Sequence, residues 1–319
     1  MKKIITVVLV SVFLSAAFCG LKYPVTSTLM KDANFGLSPL ISAGEAEHLF
    51  VGSSLFRQGL QLSDVKDSDA YILSYNGNQP FQTYLILEYL TENGVKLGTV
   101  YVDMYVYSIS TPPSISDKRI FLDTPLGFKY NLLSETIANG NQSYDTLYEG
   151  IVRANNEMLL TWAASYPAIN QRYDRGSSLP SGKVGLSKEE IEVTPIPGSI
   201  NTLRLHQKQS EYVKKIVELS RENDFKVVFI ETPKYTTLAQ NADYQRLMRD
   251  YVNLIADYDD IEIILSAPIY DSIGCEHDPR VSGLEFGNDL PENYADLLHM
   301  SGVGRAAYSK TLFEFLGLK

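Results

Sequence analysis

His48-Leu49-Phe50-Val51-Gly52-Ser53-Ser54-Leu55-Phe56 is the stretch on which the fold turns. An apolar run of strand length closes on a glycine, and two serines then stand where a helix would open. This reads as a buried strand, a tight turn and a helix start. A second unit follows: AYILS (70–74) is another apolar run, closed by Tyr75-Asn76-Gly77-Asn78-Gln79-Pro80. Those are turn formers, with Pro80 placed to enter the helical pattern QTYLILEYLTENG. TVYVDMYVYS (99–108) reads as the third strand. Beyond residue 200 the order is helix (200–223), strand (225–233), helix (242–258), strand (261–268) and a terminal helix (301–317). Strands separated by helices imply an α/β fold, a parallel sheet with helices on both faces. Between about 109 and 201 the alternation loosens into a Pro-rich passage, helical patterns near 130–138 and 144–165, and the segment SSLPSGKVG. A helical insertion covering one end of the sheet is expected there.

Met1-Lys2-Lys3 precedes an uncharged stretch from Ile4 to Phe18, the basic and apolar regions of a secretory signal. Residues 1–21 are expected to be a signal peptide or an N-terminal membrane anchor, 22–47 a leader, and 48–319 the domain. The protein is then exported, and either secreted or membrane-anchored through that segment. Cys19 opens a third route, lipid attachment, against which Phe18 stands where a lipoprotein signal wants a small residue. Cys275 is the other cysteine, so no disulfide framework is expected. At 319 residues the chain can bury a core large enough to stand without one. Its net charge of −10 and its lack of a basic run after the start argue against a phosphate-tracking surface, and hence against nucleic acid as a partner.

Open parallel sheets bind ligands beyond the carboxyl ends of their strands, and polar residues collect at those positions here. Of the four histidines, His48 opens a strand and His206 falls within an amphipathic pattern, which suits structural or solvated roles. His277 stands among Cys275, Glu276 and Asp278, but the spacing fits no zinc or calcium pattern. Neither metal nor cofactor is expected. His299 lies three residues after Asp296, before the last helix. In a tight turn such a carboxylate can accept the ring Nδ1–H, leaving Nε2 to face a hydroxyl. Ser54 could supply that hydroxyl, following Gly52 at a helix start rich in free backbone N–H groups. Each motif alone has a plainer reading, as a helix cap or a solvated pair.

The order G-x-S after the first strand (Gly52 to Ser54), an N-G loop after the second (Asn76-Gly77) and D-x-x-H before the last helix (Asp296 to His299) resembles the SGNH, or GDSL-type, hydrolase superfamily over residues 48–317. Membrane-anchored cell-envelope acyltransferases and esterases are the most similar members. The resemblance implies a flavodoxin-like three-layer sandwich and ester chemistry. Ser54 is then nucleophile and first oxyanion donor, Gly77 the second donor, and Asp296 with His299 the acid and base. Ser53 replaces the aspartate of many relatives. The third block, Gly-x-Asn after strand three, is missing, and Tyr105-Val106-Tyr107-Ser108 stands in its place. Asn78, or else Asn76, is the candidate to supply the lost amide. An acylated glycan or another ester is the implied substrate, and a membrane-bound protein the implied acyl donor. A catalytically weak glycan-binding or envelope-assembly protein that keeps the fold is the alternative, motivated by the missing asparagine.

Overall fold

The computed structural model describes residues 34–63, 65, 70–121, 124–139, 173–178, 184–196 and 200–318, together with residue 10. Its strands are β1 (Glu45–Gly52), β2 (Ala70–Ser74), β3 (Lys96–Asp103), β4 (Tyr173–Asp174), β5 (Ser177–Ser178), β6 (Lys226–Ile230), β7 (Glu262–Ser266) and β8 (Val281–Leu284). Six of them form one parallel sheet in the order β2-β1-β3-β6-β7-β8, while β4 and β5 make a separate antiparallel hairpin. From β1 the chain builds outward first to one side and then to the other. The switch point, where a crevice opens beyond the strand ends, therefore lies between β1 and β3.

Alternation along each strand divides the core in two. Leu49, Val51, Leu73, Val100, Val102, Phe229 and Leu265 face one side, under the helices Pro80–Glu92, Gln207–Glu222 and Ala242–Leu254. Phe50, Ile72, Tyr101, Val228 and Ile264 face the other, against Phe56 of the helix Ser54–Gly59 and Tyr308, Leu312 and Phe313 of the helix Gly302–Phe315. This is the expected three-layer α/β/α sandwich. Phe50 and Tyr101 are opposite each other in register and stack at 4.3 Å, with Phe56 and Phe313 meeting Phe50 edge-on. Such ring pairs add about 0.5–1.5 kcal/mol each beyond their burial. A one-residue slip of β1 would turn Phe50 out of its core.

Several elements depart from the sequence reading. The third strand ends at Asp103 rather than Ser108, because β6, its partner, ends opposite it at Ile230. Past that point no ladder is available, and the backbone N–H groups of Ser108 and Ile109 turn back onto the Tyr105 carbonyl to form the short helix Val106–Ile109. The helix expected from 200 begins at Gln207, since the backbone N–H of His206 is held by the Ile109 carbonyl. Ala267-Pro268, read as strand, opens the helix Ala267–Ile273, where Pro sits in the first turn. β8 and the helix Leu37–Ala43 were not anticipated; that helix and Phe35 bring Phe35, Leu37 and Leu40 into the core. Within the insertion, the helix Leu126–Asn139 covers the pattern near 130–138, and 144–165 lies outside the described residues. So does the N-terminal segment apart from residue 10, and no described helix is long and apolar enough to cross a membrane.

β1 and β3 approach most closely at their carboxyl ends. A methyl group built on Gly52 would lie 2.4 Å from the Asp103 Cβ and 3.0 Å from the Phe56 ring. Gly52→Ala is therefore expected to lower the unfolding free energy by about 1–3 kcal/mol, the usual cost of forcing atoms into a filled site. Urea unfolding measures it, and an unchanged midpoint would refute the close approach.

Candidate active site

Ser54 is the first residue of its helix, held there by Ser53, whose Oγ accepts the Leu55 N–H at 3.2 Å. From the far end of the chain, Tyr294 and Met300 pair as an isolated bridge and close residues 295–299 into a loop. Asp296 Oδ1 accepts the backbone N–H groups of both Leu298 and His299 at 2.8 Å, so the carboxylate shapes the turn that carries the histidine. The loop rests on the last helix. Ser301 caps Gly304, and Gly304 approaches the Asn293 carbonyl so closely that a Cβ there would stand 2.0 Å from it.

Ser54, His299 and Asp296 are thereby brought together. Ser54 Oγ lies 3.0 Å from His299 Nε2, and Nδ1 lies 2.9 and 3.1 Å from the two Asp296 oxygens. The carboxylate can only accept from Nδ1, which assigns the proton to that nitrogen and leaves Nε2 as acceptor for the hydroxyl. Partial burial of Asp296 raises its pKa, but the His299 ring and the two backbone N–H groups outweigh this and hold it below the ordinary carboxylate value.

The loop after β2 lies beside Ser54: Tyr75 N–H donates to the Gly52 carbonyl at 3.1 Å, and Arg57 donates to the Asn76 side-chain oxygen at 3.2 Å. Gly77 takes a φ of +62°, in the left-handed region that glycine enters without strain. Among the described residues, neither the Ser54 nor the Gly77 backbone N–H has a hydrogen-bond partner. Asn78 is buried, and its amide nitrogen donates to Thr83 Oγ1 at 2.8 Å, inside the following helix. Asn76 presents its backbone N–H to Asp117 Oδ2 at 2.8 Å.

Three further charged residues lie beneath the site, and the sequence patterns assign none of them a role. Asp103 Oδ2 accepts from both the backbone N–H (3.0 Å) and the hydroxyl of Ser53, and Oδ1 has no partner among the described residues. Burial raises the Asp103 pKa beyond what the Ser53 hydrogen bonds and Lys234 can restore. Lys234 is fully buried 3.6 Å from Glu231, which also accepts from Tyr244 Oη and Ser266 N–H. Burial lowers the Lys234 pKa against the pull of Glu231 and Asp103. Their positions at the ends of β3 and β6 were the available signal. The remaining histidines lie elsewhere: His48 Nδ1 meets Tyr101 Oη at 3.1 Å, His206 precedes the helix Gln207–Glu222, and His277 is exposed.

No family model matches the chain, and no curated protein matches it in sequence. Among solved structures, the chain is similar to one described as that of "a putative platelet activating factor from Streptococcus pneumonia", at 13% identity and a TM-score of 0.40 over 97% of this chain and 99% of that one.

The depressed Asp296 pKa sets a sign for its contribution to stability. The contribution is complete above the unfolded carboxylate value of about 4 and is lost as pH falls through the lower folded value. The wild type should be more stable than Asp296→Asn near neutrality, with the gap closing only below about pH 4. Urea unfolding of both across that range tests this, and a gap that does not change with pH would refute it.

Proposed function

We propose that the chain is a serine esterase or O-acyltransferase that works through an acyl-Ser54 intermediate on acylated cell-envelope glycans. The observation that carries this is the continuous hydrogen-bonded line from Ser54 Oγ through both nitrogens of His299 to Asp296, drawn from opposite ends of the chain. A serine hydroxyl becomes a useful nucleophile only beside a base, and the base acts best when a third group fixes its tautomer. His299 Nε2 takes the Ser54 proton as Oγ bonds to the ester carbonyl carbon. The imidazolium that forms is stabilised by Asp296 and returns its proton to the departing alcohol.

The carbonyl oxygen gains negative charge in that step. The Ser54 and Gly77 N–H groups, unengaged within the described chain, are the donors we assign to it. Each such donor contributes roughly 3 kcal/mol when it is pre-aimed. The acyl-enzyme then gives up its acyl group to water, making the protein an esterase, or to a sugar hydroxyl, making it a transferase. His299 activates either acceptor in the same way. The glycan substrate, a membrane-bound acyl-donor protein and the exported location are part of this proposal, motivated by the sequence resemblance and by Met1 to Phe18.

The competing reading is a glycan-binding or envelope-assembly protein with little turnover. It draws on the absent third-block asparagine and on Asn78, whose amide is spent on Thr83. A fluorophosphonate, which phosphonylates an activated serine, separates the two. Wild-type protein is expected to label at Ser54, with no labelling in Ser54→Ala and a fall of at least about a hundredfold in rate for His299→Ala. Folded wild-type protein that neither labels nor hydrolyses acetylated glycans would leave only the binding reading.

A further inference from the structure

The loop that presents Gly77 is held from outside the sheet. Asn76, one residue before it, donates its backbone N–H to Asp117 Oδ2 at 2.8 Å. Asp117 is buried and locked by its neighbour Arg119, whose backbone N–H (3.1 Å) and guanidinium Nε (2.9 and 3.1 Å) and Nη2 all donate to it. Ser116 closes the other side, with its Oγ 3.0 Å from where a Gly77 Cβ would stand. The guanidinium in turn lies over the Phe35 ring at 5.2 Å from its centroid, and Phe35 meets Tyr75, the first residue of the loop, edge-on at 5.9 Å. The leader segment, the β2 exit and the start of the insertion thus converge at this point.

Burial works against the Asp117 charge, yet the Arg119 fork and the Asn76 and Arg119 N–H groups hold its pKa below the ordinary value. The carboxylate therefore stays charged wherever the protein is folded at ordinary pH. A charged, bidentate, buried acceptor is the strongest kind of anchor for a backbone N–H. Nothing in the sheet ladder restrains Asn76 to Asn78, because β2 pairs with β1 only as far as Ser74.

We propose that Asp117 and Arg119, with Phe35 above them, are positioning residues that fix the Gly77 N–H for the oxyanion, so that the β2 loop, tied to β1 only at Tyr75, is aimed beyond that point by the leader and the insertion. The inference rests on the acyl-Ser54 reading above. These residues touch no reacting atom and act through Asn76, which Asp117 holds, and through Tyr75, against which Phe35 packs. A donor displaced by about an ångström loses most of its value in the transition state while ground-state binding of the ester changes little.

The test is steady-state hydrolysis of p-nitrophenyl acetate by the full chain, with fluorophosphonate labelling and thermal unfolding measured in parallel. Asp117→Asn keeps the shape but drops the charge. Arg119→Lys, kept as a milder variant in case the first fails to fold, keeps the charge but loses the fork. Both are expected to reduce kcat by about tenfold to a hundredfold with KM within about twofold, at temperatures where they remain folded. Labelling at Ser54 should slow in parallel, and the pH profile of hydrolysis should keep its shape. Folded variants with wild-type kcat and only a lower melting temperature would overturn the positioning role. Failure of the underlying reading has a different signature, a wild-type protein that does not label and whose hydrolysis survives Ser54→Ala, and the inference would fall with it.

Discussion

The closeness of β1 and β3 at Gly52 and Asp103 governs the site. With no side chain at Gly52, Asp103 lies against the turn and reaches the N–H and hydroxyl of Ser53. Ser53 therefore does two things at once, donating its hydroxyl proton to Asp103 and accepting from the Leu55 N–H. Ser54, next in the chain, is left with its own hydroxyl turned to His299 and its N–H unengaged. A side chain at position 52 would push β3 away and release Ser53. The turn geometry would then rest on the helix start alone, and an N-cap stabilises that by only about 1 kcal/mol.

The exits of β6 and β7 are tied together differently, by Glu231. It follows β6 directly and accepts from Ser266, the last residue of β7, from Tyr244 Oη on a covering helix, and from buried Lys234. Buried ion pairs of this kind seldom add net stability, because each charge loses its water. What the cluster contributes is geometry: Asn288, held to the Lys234 carbonyl at 2.8 Å, and Tyr235, whose N–H donates to the Leu297 carbonyl, carry that order to the loop bearing His299. Lys234 also lies within electrostatic reach of both Asp103 and Asp296.

How far this could be read from residues alone follows from where the information lies. The sheet was legible because buried parallel strands are near-continuous apolar runs, as in AYILS and KVVFI, and the helices on either side of KVVFI are clearly amphipathic. β8 was not, since VSGL is short, contains Ser and Gly, and is an edge strand paired only with β7. The end of β3 was misread because Tyr105 to Ser108 have strand-like chemistry, and only the end of their partner strand stops the ladder. Ser54, Asp296 and His299 could be named because each stands in a local pattern a few residues long. Asp103 and Asp117 could not, since the backbone N–H groups they hold near the site, at Ser53 and Asn76, lie 50 and 41 residues away in the chain.

One physical device recurs at all three loops that frame the crevice. Several backbone N–H groups of these loops lie outside any strand ladder and take a side-chain acceptor instead. Here the acceptors are carboxylates: Asp103 for Ser53, Asp117 for Asn76, and Asp296 for Leu298 and His299. Their chemistry then diverges with the second partner. Asp117 meets a guanidinium and Asp296 an imidazole, and both are held below the ordinary carboxylate pKa. Asp103 meets only a hydroxyl and a more remote lysine, and burial drives it the other way. The turn carrying Ser54 thus rests on a carboxyl that burial favours in its neutral form, whereas the loops carrying Gly77 and His299 rest on carboxylates held in their charged form.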